Sequence, residues 1–464
     1  MTAAGLIASR AQFAFTIGFH ILWPAYTIGV SGFIVILGVL RLRTGRAVYR
    51  DLLRFWIHLF ALGFAMGVVT GLVMSYEIGT NWSVFAARTA NVIGPFFTYE
   101  ALTAFFLEAG FIGVMLFGMK RVSPRLHFVA CLAVALGATF SAFWILAANS
   151  WMQTPAGFSV GPDGKFQLTS WMEAIFTPSF PYRFFHMVTA AYIAGTFVVI
   201  GVSGFYLWQR RHLDFARTGL SIALWVALIL VPLQGELGDL HGRNTLEYQP
   251  VKVAAMEGDW QTQRGQPLVL FAWPDIAAAR NEDELAIPKL GSLILTHDWD
   301  GLVEGLTSVP PQDRPPVPYV FFAFRIMVGV WALMLLLALT GAWLRWRGRL
   351  YDARWFHIAC ACSSPLPFLA ILSGWTVTEV GRQPFVVYGY LRTADAVSPV
   401  APQAVFGSLA LFVAIYALLL FAFFFYAMRT VLRGPPIAAP EETPMAVRPG
   451  LATAPAGQTG PAKE

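Results

Sequence analysis

The segment from Gly374 to Phe385 carries polar side chains at the end of a strongly apolar stretch. Glu379, Arg382 and Gln383 lie within five residues of one another there, and Trp375 precedes them. Ionisable groups at membrane depth are costly unless they face a bundle interior, pair with another group or bind a cofactor. A cluster at a helix end can also simply reach the lipid interface. The positions of the other polar residues decide between these interpretations.

Several other side chains that can bind a metal also interrupt apolar stretches. Haem iron accepts histidine, methionine or an anionic oxygen; a histidine and methionine pair gives a six-coordinate electron-transfer haem, and a single strong ligand leaves a position open for a gas. Arginine pairs with carboxylates such as propionates. The ligand candidates are His20, His186, Met327 and Glu379, the further carboxylates are Glu100 and Glu108, the propionate or ring-edge partners are Arg10, Arg325, Arg382 and Trp375, and Gln383 is a further cofactor-binding candidate.

The remaining six histidines fall at predicted helix ends or in connections. An imidazole at the level of the lipid headgroups needs no partner. We therefore interpret these histidines as wet interfacial residues. They are His58, His127, His212, His241, His297 and His357.

Membrane helices must position these side chains, because the composition is that of a polytopic membrane protein. The 464 residues are 57% hydrophobic and only 12% charged. Cys131, Cys360 and Cys362 lie in or beside apolar stretches and indicate packing, not a disulfide framework or thiolate metal site. The apolar run after Arg10 is far longer than a signal-peptide core, so no cleavable signal is predicted.

Runs of about 20 apolar residues mark membrane helices, and we predict an all-α integral membrane protein with nine of them. Most basic residues follow the first, third, fifth, seventh and ninth helices, which places the N-terminus outside and the C-terminus in the cytoplasm. The net charge of +6 is thus a signal of topology and not of nucleic-acid binding. The predicted helices are Phe13–Leu40, Phe55–Met74, Val92–Met119, Leu126–Trp151, Phe184–Trp208, Leu220–Leu237, Tyr319–Trp343, Trp355–Thr378 and Val405–Met428.

The chain divides into four parts on this prediction. Residues 1–237 contain helices one to six, 238–318 form a polar outer loop, 319–430 contain helices seven to nine, and 431–464 form a disordered cytoplasmic tail. A connection as long as this outer loop, without clear periodicity, is usually functional or disordered.

Six candidates from five helices then lie toward the outer side of the membrane, with His20 about two turns into the first helix. Their convergence favours haem binding. An ion-coupled transporter would use the carboxylates alone, and a diheme b-type electron-transfer protein would normally need two histidine pairs; both classes stay open from these residues. The six are His20, Glu100, Glu108, His186, Met327 and Glu379.

Longer motifs carry a resemblance to a known family, subunit I of the cytochrome bd-type quinol:oxygen oxidases. The resemblance implies nine helices, a second membrane subunit and three haems near the outer face. The motifs are Gly71-Leu72, Gly79-Thr80-Asn81-Trp82, Ser141-Ala142-Phe143-Trp144-Ile145-Leu146, Trp151-Met152-Gln153, Phe324-Arg325-Ile326-Met327-Val328, and Gly374-Trp375 with Gly381-Arg382-Gln383-Pro384.

The resemblance implies a role for each ligand candidate. His186 and Met327 look like the axial pair of a low-spin b haem, with Arg325 beside it. Glu379 looks like the ligand of a high-spin b haem. His20 looks like the ligand of the oxygen-reactive haem, which is haem d or a further b, with Glu100 on the opposite side.

Four further residues match the family's substrate and proton sites. Lys252 and Glu257 match the quinol-oxidising segment of the outer loop. Glu108 and Ser141 match positions on a proton path from the cytoplasm. The implied enzyme oxidises ubiquinol or menaquinol outside, reduces dioxygen to water with cytoplasmic protons, and generates a proton motive force without pumping. It resides in the bacterial cytoplasmic (inner) membrane, with a second subunit, a small single-helix subunit as a further candidate partner, and no nucleic acid.

The sequence departs from the family pattern at two places. Ser75 stands where many members carry a carboxylate, and Glu77 follows two residues later. The outer loop is short, which is similar to the cyanide-insensitive branch of the family.

Overall fold

The computed structural model describes residues 3–435, which are mostly helical. Nine helices in this range are long and apolar enough to cross a membrane, as predicted. The predicted tail lies outside the described residues from 436 onward, and residues 431–433 complete the last helix. The spans, numbered in chain order, are Ala4–Thr44, Ala47–Asn81, Ser83–Lys120, Pro124–Gln153, Phe180–Trp208, Leu213–Tyr248, Val317–Trp346, Arg354–Val380 and Pro402–Arg433.

Some spans are interrupted, so the helices are labelled individually. The membrane helices are α1 (Ala3–His20), α2 (Leu22–Thr44), α3 (Ala47–Asn81), α4 (Ser83–Tyr99), α5 (Phe106–Phe117), α6 (Pro124–Gln153), α8 (Phe180–Trp208), α9 (Leu213–Tyr248), α12 (Val317–Trp346), α13 (Arg354–Cys362), α14 (Leu366–Val380) and α15 (Pro402–Arg433). The helices of the connections are α7 (Trp171–Ile175), α10 (Pro250–Glu257) and α11 (Leu290–Thr296). A π-helical turn, Glu100–Phe105, joins α4 to α5.

Prolines fix the breaks inside spans 1 and 8, because proline has no N–H to donate to the preceding turn. Pro24 leaves the carbonyl of His20 without its usual helical donor, and α1 ends at His20. In span 8, Pro365 and Pro367 flank the start of α14, which follows a short break after α13.

The predicted position of His20, about two turns from the start of its helix, is wrong. Helix α1 begins at Ala3, 17 residues before His20, which is almost five turns and not two. The extra turns come from residues that favour helix formation but are less apolar, with Arg10 among them, so a search for apolar runs starts too late. Glu100 also lies 17 residues after the start of its helix, Ser83.

The predicted boundary between helix six and the outer loop is also wrong. Helix α9 continues to Tyr248, and the ion pair between Arg243 and Asp239, 3.0 Å apart, stabilises its polar last turns. His241 therefore lies in a helix and is half-buried against His186, with ring centroids 5.3 Å apart. Its interpretation as a wet loop histidine is not supported.

Short antiparallel strand pairs occur in the connections, so the class is not purely helical. The longest pair has bulges between Val269 and Trp273, which break the alternation of side chains that identifies a strand in a sequence. The pairs are β1 (Phe158–Val160) with β2 (Phe166–Leu168), β3 (Gln263–Arg264) with β6 (Leu302–Val303), β4 (Leu268–Asp275) with β5 (Arg280–Ile287), and β7 (Phe385–Val387) with β8 (Leu391–Arg392).

Two glycines bring spans 1 and 5 into backbone contact. A Cβ on Gly29 would lie 2.2 Å from the carbonyl oxygen of Ala191, and a Cβ on Gly195 would lie 2.1 Å from the backbone of Gly29. Such small residues let membrane helices approach closely. This crossing fixes the helices that carry His20 and His186 relative to one another.

The two ends of the bundle differ in charge. The connections after spans 1, 3, 5 and 7 and the end of span 9 carry most of the arginines, and we call this the arginine-rich end. The segment between spans 6 and 7, with α10, α11 and the strands β3 to β6, lies at the opposite end.

Candidate functional site

The imidazole of His20 is oriented by span 2. Its Nδ1 lies 2.8 Å from the Thr70 hydroxyl, and that hydroxyl donates to the Met66 carbonyl, also 2.8 Å away. When the Thr70 hydroxyl gives its one proton to the Met66 carbonyl, it accepts from the Nδ1–H of His20. The Nε2 lone pair is then available to a metal. Gly71 gives the ring room, since a Cβ there would be 3.2 Å from Cε1.

His186 and Met327 lie on α8 and α12. The Nδ1 of His186 is buried and has no hydrogen-bond partner among the described residues. The sulfur of Met327 faces α14, where a Cβ on Gly374 would be only 3.0 Å from it. The glycine therefore allows α12 and α14 to pack closely at this sulfur. Both side chains present a ligand atom that is not engaged in another hydrogen bond.

Glu379 is held by three polar side chains near the end of α14. Asn149 donates to its Oε1 at 2.8 Å, Gln153 donates to the same oxygen at 3.2 Å, and Arg382 pairs with Oε2. Gln383 donates to the backbone carbonyl of Glu379 at 3.3 Å. The carboxylate is thus fixed in one orientation, as expected for a group that ligates a metal.

Lys252 joins this network through Gln153. The Lys252 ammonium is 2.6 Å from the side-chain oxygens of both Gln153 and Gln249, and the residue is buried. Gly381 makes room for the lysine stem, since a Cβ there would lie 2.8 Å from its Cγ. Burial lowers the pKa of Lys252 well below its ordinary value, and the nearby arginines Arg183 and Arg382 lower it further.

Three buried cations, Arg183, Lys252 and Arg382, surround the single carboxylate of Glu379. The Nε and one terminal nitrogen of Arg382 are buried without a hydrogen-bond partner in the part of the chain that is described. Buried unpaired cations are costly, so this cluster suits an additional anionic ligand. Sequence reasoning missed Arg183; its position three residues before His186, on the same face of α8, was the available signal.

Glu257 is placed beside Arg325 at the end of α10. Its Oε2 is 4.0 Å from the guanidinium and has no hydrogen-bond partner among residues 3–435. Burial raises the pKa of Glu257, and Arg325 opposes that rise. Burial and the neighbouring Glu257 raise the pKa of Asp259 well above its ordinary value. Two carboxyl groups that hold protons more strongly than usual therefore occur together.

Arg325 does not present a free donor to a propionate. Its five N–H groups point to backbone carbonyls of α10, β4 and its own helix, and its guanidinium stacks on Phe321 at 3.4 Å. Arg325 thereby fastens the outer segment to α12, and its predicted place beside the low-spin haem stays a prediction. The acceptors are the carbonyls of Met256, Glu257, Val269, Leu270 and Phe321.

Glu100 and Glu108 follow span 3 toward the arginine-rich end. Ser141 of α6 donates to Glu100 at 2.7 Å. Glu108 is buried, and the two carboxylates interact electrostatically. Eight residues of α-helix make about 2.2 turns, but the π-helical turn that starts at Glu100 holds more residues per turn. The two carboxylates therefore lie closer to one face than an unbroken α-helix would place them.

Glu77 is the acid that follows Ser75 in span 2. It is completely buried, and its Oε2 is 2.5 Å from the hydroxyl of Thr16 on α1. Its other carboxyl oxygen has no partner among the described residues. Span 2 therefore carries a buried acid that contacts α1, two residues beyond Ser75.

The remaining predicted site residues are less engaged. Arg10 is exposed on α1 and forms no salt bridge within the described range. Trp375 packs with Ile21 and Phe180 in the apolar clusters between α2, α6 and α8. Gln383 accepts from Thr393 at 2.8 Å and orders the turn after α14. No described hydrogen bond joins His20 to the network of Glu379.

The donor sets fit haem. The Nε2 of His20 and the ligand atoms of His186 and Met327 have no hydrogen-bond partner among the described residues. Glu379 is an oriented anion, and two buried nitrogen atoms of Arg382 have no hydrogen-bond partner in the described range. Haem, when bound, supplies one-electron transfer at a six-coordinate iron and gas binding at an open position.

Comparisons with known proteins agree with this chemistry. The family described as "Cytochrome bd terminal oxidase subunit I" matches residues 8–435. The "Cytochrome bd-II ubiquinol oxidase subunit 1" of Escherichia coli (strain K12) is 33% identical, over 94% of this chain and 98% of its own length. The "Cytochrome bd ubiquinol oxidase subunit 1" of Bacillus subtilis (strain 168) is also 33% identical, over 92% and 94%.

A solved structure extends the match to the fold. The bd oxidase from Geobacillus thermodenitrificans has a TM-score of 0.86 and 29% identity, and the match covers 93% of this chain and 99% of that one. These likenesses decide against the transporter and the diheme electron-transfer protein. This chain belongs to the cytochrome bd terminal oxidase subunit I family, and it is a haem-binding membrane subunit of a bacterial respiratory quinol:oxygen oxidoreductase.

Proposed function

We propose that quinol is oxidised at the outer segment, where Lys252 and Glu257 lie, and that dioxygen is reduced beside His20. The observation that carries this proposal is the hydrogen-bonded series from Lys252 through Gln153 to Glu379. It connects the quinol-oxidising segment implied by the family with a candidate iron ligand. Ubiquinol and menaquinol are both candidate substrates, and the names of the two relatives above favour ubiquinol.

Glu257 is the proposed acceptor of the quinol proton. Its unpartnered carboxyl oxygen is free to accept a hydrogen bond from a quinol hydroxyl, and its raised pKa brings it closer to the working pH of a general base. Arg325 fixes the backbone of Glu257, since it donates to that residue's carbonyl at 3.2 Å. Lys252 steadies the negative charge that develops on the quinol oxygen.

The proposed cofactors are three haems, in line with the family. His186 and Met327 would hold the low-spin b haem, Glu379 the high-spin b haem, and His20 the oxygen-reactive haem, which is haem d or a further b; Glu100 is a further carboxylate proposed to act at that haem. Arg382, with its buried unpaired donors, is the propionate partner best supported by the described contacts. Arg183 joins it as a second buried cation.

The proposed orientation places the arginine-rich end in the cytoplasm, by the positive-inside rule. Protons for water formation then enter from that end and pass Glu108, Ser141 and Glu100, of which the last two are hydrogen-bonded. Buried carboxylates and hydroxyls are the usual elements of proton relays in membranes. Moving these protons from the cytoplasm into the membrane, toward the haems, generates a proton motive force without a pump.

A second membrane subunit is the proposed partner, together with a small single-helix subunit. In span 9 only Val405 and Tyr416 are buried, and Phe421, Phe424 and Phe425 are exposed on its surface; Leu102, Phe106 and Phe117 are exposed in span 3. These apolar surfaces suit lipid or other membrane helices.

Oxygen uptake by the purified complex with a soluble quinol tests the proposal, together with an absorption spectrum of the reduced protein. Turnover with three haem signals is expected. A haem-loaded complex that consumes no oxygen would refute the proposed activity.

A further inference from the structure

A basic cavity of about 460 Å³ lies at the arginine-rich end, between the turn that joins spans 1 and 2 and the start of span 4. Four arginines line it, and its described lining contains no acidic side chain. We propose that this cavity binds the phosphate headgroup of an anionic phospholipid. The arginines are Arg41, Arg46, Arg50 and Arg125.

Local backbone structure brings these arginines to one concavity. Gly45 ends α2 in the left-handed conformation, with φ of 67°, and α3 begins two residues later at Ala47. This tight turn sets Arg41 of α2 beside Arg46 and Arg50. Arg125 lies in the first turn of α6, about 75 residues further along the chain than Arg50. The positive-inside rule accounts for basic residues at this end, but not for the convergence of residues from α2, α3 and α6 on one cavity.

The dipole of the helix that begins at the cavity adds to the positive charge of the arginines. Span 4 begins here, with Ser123 as its N-cap, 3.3 Å from the amide of Leu126. The first turn of this 30-residue helix therefore contributes the positive end of a helix dipole. Asp51 pairs with Arg50 at 3.4 Å but does not line the cavity. Arginine binds phosphate through two parallel hydrogen bonds, so two or more of these side chains can hold one phosphate group.

An apolar stripe next to the cavity favours a lipid over a free phosphate ion. Leu126, Val129, Leu136 and Phe140 are all exposed on α6 at helical spacing, starting directly after Arg125. Leu42, which lines the cavity, is exposed on α2. A phospholipid can place its headgroup among the arginines and its acyl chains along this stripe. Basic pockets between membrane helices are known to bind such headgroups.

Native mass spectrometry of the purified holo-complex tests this inference, with phosphatidylglycerol or phosphatidylcholine added at equal mole fraction. We expect retention of phosphatidylglycerol over phosphatidylcholine. The double variant Arg46→Ala, Arg125→Ala should bind phosphatidylglycerol roughly thirtyfold more weakly, since each arginine near an anionic lipid surface contributes about fivefold. Haem absorption and oxygen uptake in the same preparation report that the variant is folded.

The matched control is Arg43→Ala with Arg429→Ala, which removes two exposed arginines from the same end but outside the cavity. Equal loss of lipid in both double variants would show a general charge effect and would overturn the proposal. Competition by millimolar inorganic phosphate, with no preference between the two lipids, would assign the cavity to a free anion instead. A chain that ends at residue 435 must retain the lipid; loss of binding on this truncation would assign the effect to the tail.

Discussion

Lys252 and Glu379 are joined through one side chain, the amide of Gln153. Its oxygen accepts from the Lys252 ammonium at 2.6 Å, and its nitrogen donates to the Glu379 carboxylate at 3.2 Å. The lysine belongs to the proposed quinol site, and the carboxylate is a proposed iron ligand. A single amide therefore couples the charge of the Lys252 ammonium to that of the Glu379 carboxylate.

Gln153→Ala should lower quinol turnover about 10- to 100-fold, the usual effect of removing a group that orients a metal ligand. All haems should still be present, because Asn149 and Arg382 continue to hold Glu379. Oxygen uptake with a soluble quinol and the spectrum of the reduced protein measure both quantities. Gln261→Ala, on the exposed outer segment, is the control. Equal turnover in the two variants would disprove the coupling.

Thr70→Val should weaken haem binding at His20 about 10-fold or more, because it removes the acceptor that holds the proton on Nδ1. Haem content per polypeptide and the spectrum of the oxygen-reactive haem are the measurements. Thr80→Val is the matched control, since Thr80 is half-buried on the same helix and its hydroxyl donates only to backbone carbonyls of that helix. The tautomer assignment fails if both variants keep full haem content.

His186→Ala or Met327→Leu should remove the low-spin b signal and, with it, quinol-linked turnover. A six-coordinate haem loses a ligand that the apolar surroundings do not replace. The absorption band of the reduced low-spin haem is the readout. His297→Ala, in the outer segment, should keep it. A persistent band in either ligand variant contradicts the assignment of the axial pair.

Ionisation of the Glu257 carboxyl group should determine the acid limb of the pH–rate profile, which is the fall in the rate of quinol oxidation at low pH. Burial raises its pKa, and a carboxyl group accepts the quinol proton only when it is ionised, so quinol oxidation should fall as pH decreases through that raised pKa. Glu257→Gln should lower the rate about 10²- to 10⁴-fold and abolish this limb.

The matched control for this prediction is Glu247→Gln, at an exposed position of α9. Steady-state rates across pH, and oxygen uptake by chemically reduced enzyme, separate quinol oxidation from the later steps. An unchanged profile in Glu257→Gln would exclude the carboxylate as the base.

Hydropathy and residue type predicted the nine spans and the ligand candidates, because lipid restricts what a span can contain. The contacts among them could not be predicted. Gln153 and Lys252 are 99 residues apart, and a neutral amide gives no sign of its partner. The polar end of α9 and the bulged strand β4 could not be recognised in the sequence, because neither shows a regular alternation of apolar and polar residues. Arg325 was predicted as a propionate or ring-edge partner, and its hydrogen bonds to backbone carbonyls could not be predicted, because only the fold brings those carbonyls within reach.

Glu108 is the carboxylate of span 3 that lies nearer the arginine-rich end. It is buried in span 3, and Ser141 contacts Glu100 further along the same route. If protons for water formation pass Glu108, then Glu108→Leu should abolish most of the flash-induced voltage associated with proton uptake in liposomes. A full membrane crossing is worth about 2.3 kcal/mol per charge per 100 mV, so the lost phase should be readily measured. Glu173→Leu, at an exposed position in α7, is the control. Full electrogenic uptake in a Glu108→Leu protein that retains every haem would remove this carboxylate from the path.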